Sequence, residues 1–497
     1  MKFRYLLCFF ALSLLFSCNK GGGAEEPDAA IAFAQNPLMI TAEAAEVDCG
    51  LICNVSWTAS TKDSWVTLIS AGGKSGDPLK VSVAANTSGG DRNAAITVKA
   101  GDVGKVLQLV QYGSDASALV SEKNVSLDTY GGATYINVNT EDEWTWSASP
   151  VQWLTLERKG PAALGISADI NFTGEARSAS FTVSTTDGSR AAEVTVTQQF
   201  SNEKFLASTE YGRRLVYSMG NYIKGVSADG FRQLTDGVSA FEMSCTLVDK
   251  LGNDASALKR NIFLFEVDMT KATVLATLKD DDNANIKSRA KMSLQLPALQ
   301  NKRPGLTVWG GTNGDFFSED SDGSEVWTLQ GVLYRGGTCL KSDFVQTTNT
   351  VFAVFKDGTA KCMNQTAYNA VKSDIQEAVG GRQHLIKDGA IVDFTDGTQH
   401  PRTAVGTSSD GKTVWILVVD GRQGQYSTGS YSVSYEPIAR ILKAAGARDA
   451  INLDGGGSST FITRKASGST FEIRNKPSNA GLAERAVLDG LAIVTNN

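Results

Sequence analysis

At 497 residues, with 42% hydrophobic and 20% charged side chains, the chain is too long for one ordinary domain and too apolar for a disordered one. Its 47 Lys and Arg against 53 Asp and Glu give a formal charge of −6, which lacks the basic footprint of a nucleic-acid binder. Only two histidines occur, His384 and His400, which argues against a multi-histidine metal centre, and 49 Gly against 10 Pro point to many turns and close backbone approaches.

The first element is an export signal, residues 1–18. Lys2 and Arg4 precede an apolar core, Leu6 to Phe16, that is short for a membrane span. Leu15-Phe16-Ser17-Cys18 resembles a bacterial lipobox. That resemblance implies cleavage before Cys18 and its lipidation, and hence a protein tethered to the bacterial cell envelope. The outer membrane is the expected location, with the chain in the periplasm or at the surface. Residues 19–30, with the Gly-rich acidic run Gly21–Ala30, have no apolar period and form a flexible linker. Beyond Cys8 and Cys18, Cys49, Cys53, Cys245, Cys339 and Cys362 remain, an odd number. Cys49 and Cys53 bridge only if the chain turns between them; isolated buried thiols are the plainer expectation.

Residues 31–200 read as β structure throughout: short alternating runs between Gly, Asn and Asp, without a helical period. Two stretches repeat. Val55–Ser60, Ser64–Leu68, Val81–Asn86, Asp91–Ala100 and Val106–Gly113 match Thr145–Ser149, Gln152–Glu157, Ile166–Asn171, Ala176–Thr185 and Ala191–Gln199. Trp57 and Trp65 answer Trp146 and Trp153, Arg92 answers Arg177, and Gln111 answers Gln198. A repeat of this length with frequent strands suits two β-sandwiches, 31–114 and 115–200. The paired Trp, the R-x-A-x-h-x-V strand and the aliphatic-x-Gln ending resemble the BACON domain, an immunoglobulin-like module of exported glycan-processing lipoproteins. That family has been proposed to bind glycans or mucin. Here a spacer role is favoured, because the Trp residues fall at core-facing positions.

From about Ser201 helical and strand patterns mix, giving a predicted α+β domain over 201–497. Tyr435–Gly446 places Ile438, Ile441, Leu442 and Ala445 on one face, with Pro437 in the first turn and Gly446 as cap. Thr366–Val379 is a second predicted helix. Predicted strands include Asn261–Asp268, Leu306–Gly310, Thr350–Lys356, Thr413–Val419 and Ala450–Leu453, with an extra strand layer between Phe205 and Leu278. The fold class is therefore multidomain: two all-β immunoglobulin-like sandwiches followed by a mixed α+β catalytic domain.

Polar chemistry in this half gathers at strand ends. An apolar strand that ends in Asp-Gly sets a carboxylate at the sheet edge beside a residue tolerant of close approach. Asp420 and Asp454 are placed so, and Asp315 makes a third candidate. Arg402, Arg422 and Arg485 supply forked donors suited to phosphate. Gly455, Gly456 and Gly457 suggest a backbone N–H concavity for an anion, without the Lys or spacing of a nucleotide P-loop.

The motifs NGDFF, HPRTAVG, VVDGRQ, NLDGGGSST, NKPSN and ER, between Gly305 and Thr495, resemble in order those of the phosphodiester glycosidase family, the family of N-acetylglucosamine-1-phosphodiester α-N-acetylglucosaminidase. A second Gly is frequent where this chain has Asp315, and a Pro is frequent after the position of Arg485. The resemblance implies removal of a sugar from a sugar-1-phosphodiester without a required cofactor. The phosphate is already a good leaving group, so charge neutralisation matters more than strong acid help. Arg402 and Arg485 are then expected to hold the phosphate with the 455–458 backbone, and Asp454 or Asp420 to flank the anomeric carbon as nucleophile or base. His400 is an acid or a structural residue beside Pro401. Asn313 and Asn452 are sugar-hydroxyl partners or turn formers, and Arg422, Ser458, Ser459 and Glu484 are carried from the same motifs as substrate contacts. His384 reads as a structural strand residue entering a hairpin at Lys387-Asp388-Gly389.

Two other readings compete. Glu319–Glu325 offers the carboxylates of a Ca²⁺ loop, for a metal-dependent phosphodiesterase acting at phosphorus, but lacks the twelve-residue pattern. A non-catalytic glycan-binding lipoprotein is the other. A serine hydrolase is disfavoured, since no G-x-S-x-G elbow occurs.

Overall fold

The computed structural model describes residues 29–88, 91–112, 119–149, 151–251, 257–319, 327–424, 429–479 and 483–497. The export signal with Cys18, most of the linker and all of the acidic run after Glu319 lie outside them. The chain divides into two compact units, Met1–Ile170 with Ser178–Gln198, and Asn171–Arg177 with Gln199–Asn497. Strand predominates, at 49% against 12% helix.

In the N-terminal unit each sequence repeat builds its own sheets and core. The first orders Leu38–Ile40, Val103–Gln111, Arg92–Ala100 and Trp57–Thr61 side by side; the second orders Asn124–Leu127, Ala191–Gln198, Arg177–Thr185 and Trp144–Trp146 in the same way. A three-stranded sheet accompanies each, Ala45–Asp48, Lys80–Val83 and Val66–Leu68 in the first and Gly132–Asn137, Ala163–Ala168 and Leu154–Gly160 in the second. The register corrects one equivalence. Thr58 lies opposite Lys99, and Thr145 opposite Ser184, so Trp144 rather than Trp146 occupies the place of Trp57. Both are 3% exposed. Trp65 and Trp146 are half-buried, the first under the Arg92 guanidinium at 4.4 Å from its ring centre. Cys49 and Cys53 are separate buried thiols, and burial pushes Cys49 up to about 12.

The C-terminal unit is built on an eight-stranded antiparallel sheet. Its order is Ile223–Thr235, Val238–Val248, Ala257–Asp268, Thr413–Val419, Arg402–Thr407, Asp449–Asn452, His384–Lys387 and Ala390–Ile391. The apolar run Thr413–Val419 is explained by burial on both faces. Trp415, Leu417 and Val419 enter a core shared with the helices Glu210–Met219 and Tyr435–Ala445, while Val414, Ile416 and Val418 enter a second core. Residues of two five-stranded sheets close that second core. One contains Thr273–Leu278, Asp489–Asn496 and Leu306–Asn313, the other Ile375–Gly381 and Thr350–Phe355.

The helix Tyr435–Ala445 forms as its apolar spacing predicts and ends on Gly446, whose φ of 120° suits glycine. The predicted helix Thr366–Val379 is corrected. Only Gln365–Val371 is α-helical, and Ile375–Gly381 is a strand. Helical spacing fits the sequence there, but Ala378 and Val379 enter different cores, as adjacent residues of a strand buried on both faces must. No separate layer precedes the domain either: after the helix Glu210–Met219, capped by the Thr209 hydroxyl, the three long strands belong to the main sheet. The hairpin after His384 forms, with Asp388 and Gly389 both at positive φ.

Candidate active site

Register alone brings the motifs to one edge. Arg402 pairs with Val419, and Ala404 with Asn452, both antiparallel. The start of the Arg402 strand therefore lies beside the ends of its two neighbours, where Asp420–Arg422 and Asp454–Gly457 follow. The second sheet joins them, since the Asp454 N–H donates to Gly314 O at 3.0 Å and Asn313 Nδ2 donates to Asp454 O at 2.6 Å.

A cavity of about 300 Å³ opens there, and four guanidinium groups face it: Arg382, Arg402, Arg422 and Arg485. Arg402 is fixed. Its Nε donates to Val433 O at 3.2 Å and Nη2 to Thr398 O at 2.5 Å, and the group lies 3.9 Å over the Tyr435 ring. Arg382 is fixed by Gln330 Oε1 at 2.9 Å and lies 4.2 Å over the Phe316 ring. Arg485 donates to the Ser458 hydroxyl at 3.3 Å. Against these four cations stand two carboxylates, Asp396 and Asp454, so the cavity favours an anion.

The glycines act differently from the expectation. The Gly456 N–H donates to Pro401 O at 2.9 Å, and the Ser458 N–H to Gly455 O at 3.2 Å, so most of the expected anion concavity is already occupied. Their contribution is room. A Cβ on Gly457 would meet Arg485 Nη2 at 2.6 Å, one on Gly456 would meet Arg422 Nη2 at 3.1 Å, and Gly456 sits at a φ of 62°. The triple glycine lets two arginines close on one loop.

Asp454 is the carboxylate that faces the cations. Desolvation pushes it up to about 6, although the Ser458 hydroxyl, the Arg485 charge and the Gly455 N–H each pull it down. His400 lies in the same wall. Burial and then the Arg402 and Arg422 charges hold it below its ordinary 6.5. Arg422 Nη2 sits 3.0 Å from His400 Nδ1. Arginine only donates, so Nδ1 accepts and the neutral ring carries its proton on Nε2.

The other expected residues stand behind this wall. Asp420 is 1% exposed and accepts from Asn475 Nδ2 and the Lys476 N–H, both at 2.9 Å; it anchors the NKPSN loop and does not reach the cavity. Its carboxyl is pushed up to about 7 by burial. Asp315 is 2% exposed and accepts from the N–H groups of Gly331 and Phe316. Asn313 accepts from the Thr403 hydroxyl at 3.0 Å, and Asn452 from the Gln383 N–H at 2.9 Å, so both tie strand ends together. Ser459 and Thr403 share a hydroxyl–hydroxyl hydrogen bond at 3.1 Å. Glu484 accepts from the N–H and hydroxyl of Ser293, capping the helix Met292–Lys302. These are corrected from direct contacts to supports, since each polar end is engaged inside the protein.

Sequence reasoning missed Arg382, Asp396, Thr398, Tyr435 and Phe316 in the cavity, and Asp489 behind it. Arg382 stood two residues before His384, and the signal was its place beside Gly380-Gly381. Asp489 accepts from the Asp315 N–H at 2.9 Å, while its Oδ2 is buried without a partner among the described residues. Burial first, then the Asp315 charge, raises it well above the carboxylate range.

Residues 307–494 match the phosphodiester glycosidase family, and residues 55–111 and 144–199 match the BACON N-terminal binding domain, so the resemblance carried by the motifs is borne out in both halves. No match is found among curated proteins. Among solved structures, the zebrafish N-acetylglucosamine-1-phosphodiester alpha-N-acetylglucosaminidase catalytic domain, auto-inhibited by its pro-peptide, is similar at 18% identity. That match covers 53% of this chain and 87% of that one, with a TM-score of 0.40. A hypothetical protein from Synechocystis is similar at 11% identity over 93% of this chain and 100% of that one, with a TM-score of 0.36.

Proposed function

From the match of residues 307–494 to the phosphodiester glycosidase family, we propose that the arginine-walled cavity hydrolyses a sugar-1-phosphodiester to free sugar and phosphomonoester, with a GlcNAc-1-phosphodiester as the model substrate. The observation that carries this reading is the convergence of four guanidinium groups on one desolvated carboxylate, Asp454.

The arginines bind the phosphate and neutralise the charge that grows on the departing oxygen as the C1–O bond breaks. Water supplies the new C1–O bond, and the departing oxygen keeps the electron pair as part of the phosphomonoester. Asp454, ionised above about 6, either takes the proton of that water or bonds C1 itself before water replaces it. His400, neutral at pH 7, donates its Nε2–H to a phosphate oxygen. Asp420 and Asp315 hold loops and take no part in bond making.

In this reading residues 201–497 form the α+β catalytic domain. Residues 31–114 and 115–200 are immunoglobulin-like spacers, supported by the burial of Trp57 and Trp144 in their cores. Cys18 anchors the chain to the cell envelope. The test is to incubate the full chain with GlcNAc-1-phosphodiesters and related donors, with and without EDTA, and to follow free sugar and phosphomonoester. Equal release of both in EDTA is expected. No release from any sugar-1-phosphodiester would refute the reading, and loss of activity in EDTA would favour a metal-dependent phosphodiesterase.

A further inference from the structure

Two carboxylates line the arginine-walled cavity, Asp454 and Asp396, and only Asp454 takes part in the bond making. Asp396 is exposed, on the irregular segment that joins the strand Ala390–Ile391 to the strand Arg402–Thr407. The order Asp-Gly-Thr makes a side-chain turn there, in which Asp396 Oδ1 accepts from the Thr398 N–H at 2.8 Å. The segment is held in turn to the cavity wall. Thr398 O accepts from Arg402 Nη2, and the half-buried Phe394 ring lies 5.8 Å from the Tyr435 ring that carries the Arg402 guanidinium. The place of the Asp396 charge is therefore set by the residues that also set Arg402.

The two carboxylates differ in what surrounds them. Burial desolvates Asp454, and the Ser458 hydroxyl and the Arg485 charge answer it. Asp396 is in solvent. The Thr398 N–H and hydroxyl, then the Arg402 charge, hold its carboxyl below the ordinary carboxylate range, so it stays ionised where a phosphate ester titrates. A phosphodiester carries a single negative charge. The phosphomonoester released from it carries close to two at pH 8, because its second ionisation lies near pH 6. Coulomb energy scales with ligand charge, so four arginines hold the product harder than the substrate. Slow product release then limits turnover. The same scaling governs repulsion: a fixed anion on the cavity wall pushes on the product about twice as strongly as on the substrate.

We propose that Asp396 is a specificity residue, a fixed negative charge that weakens the cavity's hold on dianionic phosphomonoesters more than on monoanionic phosphodiesters and so speeds release of the product. The release step rests on the hydrolase reading; the discrimination by charge does not.

Calorimetry on the full chain at pH 8 tests it, with dimethyl phosphate as the monoanion and methyl phosphate as the dianion. Asp396→Asn keeps the oxygen that accepts from the Thr398 N–H and removes the charge. The variant binds methyl phosphate about tenfold and dimethyl phosphate about threefold more tightly than the wild type, the two-to-one ratio in logarithm expected of a repulsion proportional to ligand charge. In about 1 M salt both gains fall below about twofold. In turnover of a sugar-1-phosphodiester, added phosphomonoester inhibits the variant about tenfold more strongly than the wild type. The inference is overturned if both ligands gain equally, if neither gains, or if neither protein binds methyl phosphate. Gains that persist in about 1 M salt overturn it as well, since they would come from a rearranged segment and not from charge. Equal inhibition of the two proteins by product overturns the release step. If the gains follow ligand charge while no diester is cleaved, the discrimination stands and the hydrolase reading fails.

Discussion

In the N-terminal unit, Gln111 and Gln198 end their strands with side chains fully enclosed. Gln111 Nε2 donates to Ala84 O at 2.9 Å and its Oε1 accepts from Arg92 Nη2 at 2.7 Å; Gln198 Nε2 donates to Asp169 O at 2.8 Å, the same knot in the second repeat. In the C-terminal unit, Asp420 ends a strand in the same enclosed way, whereas Asp454, across the intervening strand, faces four arginines. Strand-end polarity therefore separates into two kinds. Where every donor and acceptor meets protein, the residue fixes a loop; where charges converge with their ends exposed to a cavity, the residue is available to a ligand.

The largest effect should come from exchanging these roles. Asp454→Asn lowers kcat/KM for a GlcNAc-1-phosphodiester about a thousandfold with little change in thermal midpoint. Asp420→Ala leaves Asn475 and Lys476 donors unpaired and lowers unfolding free energy by about 3 kcal/mol, measured in urea. Opposite outcomes would break the comparison.

Next is the phosphate grip. Arg485→Ala costs about a hundredfold in kcat/KM. Gly457→Ala, whose Cβ would crowd Arg485 Nη2 at 2.6 Å, costs about tenfold through the same group. Wild-type kinetics in both would remove Arg485 from the site.

In the other unit, Gln111→Ala weakens the N-terminal fold by about 2 kcal/mol. Turnover by the full chain stays the same, seen as an earlier urea transition with unaltered kinetics.

The smallest effect concerns pH. Because burial raises Asp454 to about 6, the carboxylate is protonated below that value, and kcat/KM falls as pH drops through it. Asp489, raised well above the carboxylate range by burial and by the Asp315 charge, stays protonated where Asp454 titrates, so Asp489→Asn leaves the acid limb in place. A limb moved to lower pH would mean that Asp489 is ionised in the folded protein.

Much of this was legible in the sequence because it depends on period and spacing. The continuous apolar run Thr413–Val419, the repeat ending in Gln111 and Gln198, and the helix closed by Gly446 all follow from local pattern. The site was legible only as a set of strand ends. Which of them opens to a cavity is decided by neighbours distant in sequence: Asn475 encloses Asp420, Ser293 holds Glu484, and Thr403 binds Asn313. Arg382 carried no local signal beyond its pair of glycines, since its role depends on Phe316 and Gln330 packing around it. Ile375–Gly381 misled for the same reason: helical spacing and a strand buried on both faces place apolar residues at the same positions.

The most direct test of the central claim is hydrolysis of a GlcNAc-1-phosphodiester by the full chain in ¹⁸O-labelled water, with both products analysed by mass. The label is expected in the released sugar, because water bonds C1 beside Asp454, with the phosphomonoester unlabelled. Label in the phosphate would place the attack at phosphorus and contradict that claim.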